Sequence, residues 1–337
     1  MTGAPMRARP ILTKLIAARP RRVTAAGPRG DAAAASRRLR PAVSRRLRRA
    51  AAVAVLPVTL VVAGCGAGHP AASPQRSGSA KARPQRILRA PKSLLSLAGP
   101  QSNGTMWALA GRLDTGLFRF DSGSGRLAQG LPVSNTARSV AVSPAGVLAL
   151  ALATRHSGAL ELLSGSTTKP IQTVALPAPA RQVATGPGSP AFFVLSAWSS
   201  AASVTIVGAT GAIRGTVPMP VDAVSVAPDP AQGSLYVLEK TGLVDQVAIT
   251  SGKITSRFRA GQDGRAIAIS PTGSTLYVLK GTPRVSNIAV VDAATESVRR
   301  VLPAPSYCRG LLVSPSGDQL YEVVGTSGYG NIQVFAL

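Results

Sequence analysis

The sequence predicts an all-β fold: a six-bladed, alternatively seven-bladed, β-propeller of four-stranded antiparallel blades, closed by an N-terminal strand that completes the last blade. Three observations support this prediction. Short apolar runs alternate with turn-forming residues, proline-marked turns recur every 41 to 44 residues, and the C-terminal unit lacks a strand that the segment near residue 86 can supply.

The clearest unit spans residues 265–305. Turn formers (Gly, Pro, Ser, Thr and Asp) separate four short apolar runs, namely Ala266–Ile269, Leu276–Leu279, Ile288–Val291 and Val298–Leu302. Runs this short, rich in β-branched residues and bounded by turn formers, are typical of β-strands. We therefore expect one antiparallel four-stranded sheet per unit.

The repeat is marked by prolines in the turn after the first strand of each unit. They are Pro100, Pro144, Pro187, Pro228, Pro271 and Pro315. Proline fixes φ in a turn and lacks the N–H that a central strand needs, and a glycine follows within a few residues. Six units with a period in the low forties match a radial array of blades, and a seventh blade would need a shorter period.

The closure of the ring can also be predicted. Only two strands follow Pro315, at Leu320–Val324 and Ile332–Leu337, so the sixth unit lacks its outermost strand. The segment RILRAP at 86–91 resembles RVLPAP at 300–305, which ends the fifth unit. We expect the first segment to complete the last blade, because closure removes exposed strand edges.

Two segments, LYVLEKTGLVDQVAITSGKI and LYVLKGTPRVSNIAVVDAATESV, resemble the YVTN-type β-propeller repeat. In that family a turn with glycine, a Tyr-Val strand and a strand ending in Asp recur in each blade. The resemblance covers residues 86–337 and is looser in the first three units, where Trp107-Ala108, Leu148-Ala149 and Phe193-Val194 replace Tyr-Val. The family is usually seven-bladed, and the resemblance implies a fold rather than a function.

Residues 43–64 are expected to be a lipoprotein signal peptide. Four arginines between residues 45 and 49 precede an apolar stretch of thirteen residues, 50–62, which is short for a membrane span. Val62-Ala63-Gly64-Cys65 resembles the bacterial lipobox, which implies cleavage between Gly64 and Cys65 and a diacylglyceryl group, such as one carrying palmitate, on the Cys65 thiol. The alternatives are an ordinary cleaved signal and a buried apolar strand with an incidental cysteine.

This interpretation places the protein on the extracytoplasmic face of the cell membrane. Residues 1–42 are rich in Ala, Arg, Pro and Gly, and we expect them to be disordered or to lie upstream of the true translation start. Residues 65–85 form a flexible tether with a reach of about 25 Å. Its basic residues either contact anionic lipid or keep the linker soluble.

The net charge of +25 is misleading, because residues 1–64 contain thirteen Arg and Lys14 against Asp31 alone. The remaining basic residues lack interleaved aromatics, and an exported protein does not meet the chromosome. Nucleic acid is therefore not an expected partner. We expect a monomer.

Candidate catalytic residues are few. The only cysteines are Cys65 and Cys308, so a lipidated Cys65 leaves Cys308 unpaired, and we expect a buried thiol rather than a nucleophile. The only histidines are His69 in the tether and His156 in a loop. We therefore predict no catalytic residue, no metal site and no cofactor.

One constellation follows from the proline spacing. Six residues before the proline stand Arg138, Arg181, Asp222, Arg265 and Arg309, and Lys92 stands eight before it in the first unit. This position begins the innermost strand, so the four arginines and Asp222 are predicted to ring one mouth of the central channel and to attract an anionic ligand, with a possible slip of register at Lys92. The alternative is a structural role, in which the arginines bridge blades or backbone carbonyls.

The sequence favours a binding or scaffold module, presenting its channel mouth to a small anionic ligand or a protein. An alternative is a propeller enzyme of the lactonase-like or quinone-dependent dehydrogenase-like type, which would need His, Glu, Asp or Asn side chains around the channel. A third possibility is a part of an envelope assembly that binds only protein.

Overall fold

A computed structural model describes residues 83–90, 92–101, 103–111, 115–128, 130–186, 188–198, 200–231, 233–326 and 328–337. Within these ranges the chain forms 24 β-strands and no helix, and therefore no helix that could span a membrane. The expected signal peptide, most of the tether and Cys65 lie outside the described residues.

The strands form six antiparallel four-stranded sheets, which are the blades of a six-bladed β-propeller. Blade 1 contains β2 (Leu94–Ala98), β3 (Thr105–Ala110), β4 (Gly116–Asp121) and β5 (Leu131–Pro132). Blade 2 contains β6 (Ala137–Val142), β7 (Val147–Ala153), β8 (Gly158–Ser164) and β9 (Pro170–Leu176). Blade 3 contains β10 (Ala180–Thr185), β11 (Ala191–Ala197), β12 (Ala202–Gly208) and β13 (Ile213–Met219).

Blades 4 and 5 follow the same order from the innermost to the outermost strand. Blade 4 contains β14 (Ala223–Pro228), β15 (Ser234–Glu239), β16 (Leu243–Ala248) and β17 (Ile254–Arg259). Blade 5 contains β18 (Gly264–Ile269), β19 (Thr275–Gly281), β20 (Ser286–Asp292) and β21 (Ser297–Ala304). The predicted six-bladed, all-β architecture is thus confirmed, and the seven-bladed alternative is not observed.

The sixth blade combines both ends of the propeller sequence. Its strands are β22 (Cys308–Val313), β23 (Gln319–Gly325), β24 (Gly330–Ala336) and, outermost, β1 (Arg86–Ala90). β1 runs antiparallel to β24, with Arg86 opposite Val334 and Ala90 opposite Gly330. The predicted closure by an N-terminal strand is therefore confirmed, and it covers the edge that β24 would otherwise expose.

The core is divided among the six interfaces between neighbouring blades. Side chains alternate along each strand, so Tyr236 and Leu238 pack towards blade 5, whereas Leu235 and Val237 pack towards blade 3. Each of the six buried apolar clusters contains residues of two adjacent blades, including one that joins blade 6 to blade 1. Each blade is therefore stabilised by both neighbours.

The two ends of the blades define two faces of the disc. The hairpins between first and second strands, several of them carrying the marker prolines, lie on one face, which we call the turn face. The hairpins between second and third strands, such as 154–157, lie on the opposite face together with the start of each innermost strand, because Ala137 pairs with Leu152. We call this the hairpin face.

Candidate functional site

The second residue of every innermost strand is a β-bulge. In β6, for example, Ala137 pairs with Leu152 and Ser139 pairs with Ala151, so that the residue between them has no partner on β7. The bulged residues of blades 1 to 6 are Leu95, Arg138, Arg181, Val224, Arg265 and Arg309. A bulge redirects its side chain, and here all six line the hairpin-face end of the central channel.

The bulge thus brings together four of the five charged residues that the proline spacing selected. Arg138, Arg181, Arg265 and Arg309 line both the channel and a cavity of about 840 Å³ at its opening. We call this opening the arginine mouth. Its lining at the hairpin face also includes the two apolar bulge residues of blades 1 and 4.

Asp222 is not part of this lining, contrary to the sequence-based placement. It is exposed in the turn before β14, where its backbone oxygen accepts a hydrogen bond from the N–H of Lys240. The reason is the second proline in Val-Ala-Pro-Asp-Pro. Pro228 lies within β14 opposite Leu235, and Pro230 occupies the turn, so counting six residues back from Pro230 gives Val224.

The first blade also departs from the proline spacing. Leu95 takes the bulge position, five residues before Pro100, and Lys92 is not among the residues that line the mouth. Blades 1 and 4 therefore contribute an aliphatic side chain each, and the four arginines come from blades 2, 3, 5 and 6.

Three of the arginines also hydrogen-bond within their own blades. Arg138 Nη1 donates to the carbonyl oxygens of Asn135 and Ala137 at 2.9 and 3.0 Å. Arg309 Nε donates to the Gly325 oxygen at 3.0 Å, and Arg265 Nη1 donates to Ser286 Oγ at 3.3 Å. These bonds fit the structural alternative in part, but none of them neutralises the guanidinium charge.

Arg181 differs, because it makes no hydrogen bond or ion pair within the described residues. Burial lowers the pKa of Arg265, and the nearby charge of Arg309 lowers it further, against an opposing contribution from Cys308. Arg265 and Arg309 are thus close enough to repel one another, which favours binding of an anion between these two.

Two further cations line the mouth from the hairpins between second and third strands. These are Arg155 in blade 2 and Lys240 in blade 4, and neither side chain has a partner within the described residues. Sequence analysis missed both, since hairpin loops differ in length between units. The alternation of strand directions could have found them, because it places every second hairpin on the same face.

Among the described residues that line the mouth there are six cations and no Asp or Glu. Three carboxylates outside the mouth are paired with other arginines: Asp245 binds Arg257 Nε at 2.5 Å, Glu239 binds Arg257 Nη2 at 3.1 Å, and Asp292 binds Arg299. The positive charge of the mouth is therefore uncompensated by its own lining. A guanidinium presents forked donors that suit carboxylate and phosphate.

The channel behind the mouth has a volume of about 620 Å³ and is lined by the six innermost strands. Its lining within the described chain contains no Asp, Glu or His, and the described residues contain no group of three or more His, Cys, Asp or Glu that could hold a metal ion. Hydroxyl and amide side chains of these strands form hydrogen bonds to the neighbouring blade. Gln182, for example, bonds to the backbone of Val226.

Two further residues, Cys308 and Asp292, have structural roles. Cys308 is fully buried at the start of β22, and burial raises the pKa of its thiol to about 12, which suppresses the reactive thiolate. Asp292 Oδ1 accepts hydrogen bonds from the N–H groups of Ala294 and Thr295 at 2.9 and 2.8 Å, and so caps the turn before the outer strand.

Comparison with known proteins supports the fold. No family model and no curated protein matches the sequence. Among solved structures, Kuenenia stuttgartiensis Hydrazine Synthase is similar with a TM-score of 0.59 and 13% identity over 72% of this chain and 83% of that chain. A chain of the Crystal Structure of Mitotic Checkpoint Complex has a TM-score of 0.57 and 14% identity over 76% and 96%. At such identities the likeness extends to the fold alone.

Proposed function

We propose that this protein is a lipid-anchored extracytoplasmic binding module that holds an anionic ligand at the arginine mouth. The β-propeller fold supports a binding or scaffold role in general. The observation that carries the specific proposal is the lining of the mouth, in which six cations converge without a carboxylate. Bringing these charges together is costly unless an anion is present, and a bound anion would relieve their repulsion.

Binding at this site uses the forked geometry of guanidinium groups. Within the part of the chain that the structure describes, the side chains of Arg181 and Arg155 have no partner, so an incoming phosphate or carboxylate need not displace hydrogen bonds of these residues. Arg265 and Arg309 are held by hydrogen bonds to their own blades, which limits the ordering that binding requires. We therefore expect Arg181 to contribute most of the affinity among the bulge arginines.

The affinity of purified protein for inorganic phosphate, measured by calorimetry at low ionic strength, tests this function. Arg181→Ala is expected to weaken binding about tenfold or more, since hydrogen bonds to charged groups contribute about 1.5–3 kcal/mol. Arg300→Ala is the matched control, because Arg300 is an exposed arginine on the outer strand β21. Equal affinities for wild type and Arg181→Ala, or no phosphate binding at all, would contradict the proposal.

The lipid anchor is supported by the sequence Val62-Ala63-Gly64-Cys65 and by the apolar stretch before it. Expression in a bacterium with lipoprotein processing, followed by mass spectrometry of the mature N-terminus, provides the test. We expect a chain that begins at Cys65 with a diacylglyceryl group, and a Cys65→Ala variant that no longer partitions into detergent. A mature chain that retains the arginines at 45–49 would contradict the anchor.

A further inference from the structure

The arginine mouth is asymmetric, and its asymmetry indicates the kind of anion that it binds. Trp198 lies on the rim of the same cavity, in the hairpin between β11 and β12, with 38% of its surface exposed. Its ring stacks near that of His156, with centroids 5.8 Å apart and planes inclined by 31°. His156 belongs to the hairpin of blade 2, so the pair joins the loops of two blades.

Hydrogen bonds join described residues across both hairpins. In blade 2, the N–H of Thr154 donates to the Ser157 oxygen at 2.9 Å, and the Thr154 hydroxyl contacts Ser157 as well. In blade 3, the N–H of Trp198 donates to the Ala201 oxygen at 2.7 Å. The backbone of Trp198 is held by this bond and its ring lies against His156, which limits the conformational entropy lost when a ligand stacks on it.

Three mouth cations have no side-chain partner within the described residues. Two of them, Arg155 and Arg181, lie on the same side of the mouth as this aromatic pair, and the third, Lys240, belongs to blade 4. Arg155 directly precedes His156, and Arg181 follows Ala180, which pairs with Ser196 close to Trp198. On the opposite side, Arg265 and Arg309 are held by hydrogen bonds within their blades. Available guanidinium groups and an exposed indole therefore occupy one sector of the mouth, formed by blades 2 and 3.

We propose that this sector recognises an anion carried on a ring, in which a phosphate or carboxylate binds Arg155 and Arg181 while one face of the ring stacks on Trp198. This inference rests on the proposed anion-binding function and narrows its ligand class. The shared chemistry, a charged group next to an open ring face, occurs in both nucleotides and acidic sugars. Tryptophan at a binding surface contributes apolar contact area that a ring can cover.

The protein contains its own reporter for this interaction. It has two tryptophans, Trp198 at the mouth and Trp107, which is 2% exposed in the core between blades 1 and 2. A ring that stacks on Trp198 is expected to quench its fluorescence, whereas Trp107 is shielded. Trp198→Phe should abolish the signal and keep the fold, as circular dichroism would show.

The experiment titrates the full chain with six probes: uridine monophosphate, uridine, inorganic phosphate, glucuronate, methyl glucoside and acetate. We expect uridine monophosphate to bind at least tenfold more tightly than uridine or phosphate, or glucuronate to bind at least tenfold more tightly than methyl glucoside or acetate. The pair that shows this gain identifies the source of the ring. Calorimetry on Trp198→Ala should then show a loss of roughly tenfold or more for the ring-bearing anion only.

The outcomes separate this inference from the function on which it rests. If phosphate and acetate bind in an Arg181-dependent manner as tightly as the ring-bearing anions, the anion site stands and the ring preference is wrong. If ring-bearing anions bind without quenching Trp198, the stacking is likewise wrong. If none of the anions binds, both proposals fail.

Discussion

At the scale of single residues, Glu322 departs most clearly from the repeat. It lies on β23 with 2% of its surface exposed, and its Oε2 atom has no hydrogen-bond partner. It shares a face of the strand with Leu320, which packs between blades 5 and 6. The positions that correspond to it in blades 1 to 5 are all apolar: Ala108, Leu150, Val194, Val237 and Val278. The repeat therefore shows which residue types the position accommodates.

We expect Glu322→Leu to stabilise the protein. Leucine occupies the corresponding position in blade 2, and the substitution removes a buried carboxyl oxygen whose burial without a partner costs roughly 1–3 kcal/mol. Urea unfolding should show a higher free energy of unfolding by about that amount. Glu322→Gln is the control, since it keeps a polar group at the site and should not give this gain. A leucine variant less stable than wild type would show that the carboxyl has a native role.

The same carboxyl should make stability depend on pH. Burial raises the pKa of Glu322 from 4.5 to about 8. Between these values the folded protein holds a proton that the unfolded chain releases, so stability falls as pH rises, with a slope of at most about 1.4 kcal/mol per pH unit. The Cys308 thiol, with a pKa of about 12, stays protonated in this window.

The difference in free energy of unfolding between Glu322→Gln and wild type measures this effect. It should increase in favour of the glutamine variant from pH 4.5 to pH 8 and stay constant outside that range. Parallel stability curves for the two proteins across this range would mean that the carboxyl is not perturbed in the folded state.

At the scale of strands, the innermost strands are joined by side chains one residue after each bulge. Ser96 contacts Ser139, Ser139 donates to the Val183 oxygen, and Ser225 accepts from the N–H of Ile267. These bonds join blade 1 to blade 2, blade 2 to blade 3, and blade 4 to blade 5. Ala266 and Gly310 occupy the same position in blades 5 and 6 and cannot continue the series.

Gln182 makes the most complete of these connections. Its Oε1 accepts from the N–H of Val226 at 2.8 Å, and its Nε2 donates to the Val226 oxygen at 3.2 Å. Gln182→Ala is expected to lower the free energy of unfolding by about 1–3 kcal/mol, because it leaves buried backbone groups without partners. Gln262→Ala, at an exposed glutamine, should change it by less than about 0.5 kcal/mol in the same urea titration. Similar losses for both variants would refute the connection.

The strands also show what could be read from the sequence. Blade number, strand order and closure follow from turn prolines and apolar runs, since both are consequences of local backbone preference. The mouth position was predicted in blades 2, 3, 5 and 6, where the marker proline stands six residues after the bulged arginine. It was wrong for Asp222 because Pro228 and Pro230 compete for that turn, and only strand pairing decides between them. Trp198 and Arg155 lie in loops that carry no repeat signal.

At the scale of the whole molecule, the ring is a set of six interfaces, and the one between blades 6 and 1 depends on β1. Leu88 of β1 is 4% exposed and packs in the cluster that joins these blades, together with Phe120, Tyr321 and Val334. Its neighbour Ile87 is 51% exposed. β1 therefore adds the buried face of a five-residue strand to the closure, beside buried residues of β23 and β24.

We expect Leu88→Ala to lower the free energy of unfolding by about 2–5 kcal/mol, the usual effect of truncating a buried leucine. Ile87→Ala, in the same strand with the opposite orientation, should cost much less. Thermal unfolding with intrinsic fluorescence compares the two directly. Equal effects of the two substitutions would show that β1 does not close the ring in solution.

The direction of β1 determines at which face of the disc the chain enters the propeller. Ala90 pairs with Gly330 beside the hairpin face, so Arg86 lies at the opposite side, where its guanidinium contacts the Gly123 oxygen in a loop of the turn face. Gln85, whose N–H donates to the Val334 oxygen, therefore also lies towards the turn face. The proposed anchor precedes Gln85 in the sequence, so the covalent connection to it starts on the face opposite Trp198 and the arginine mouth.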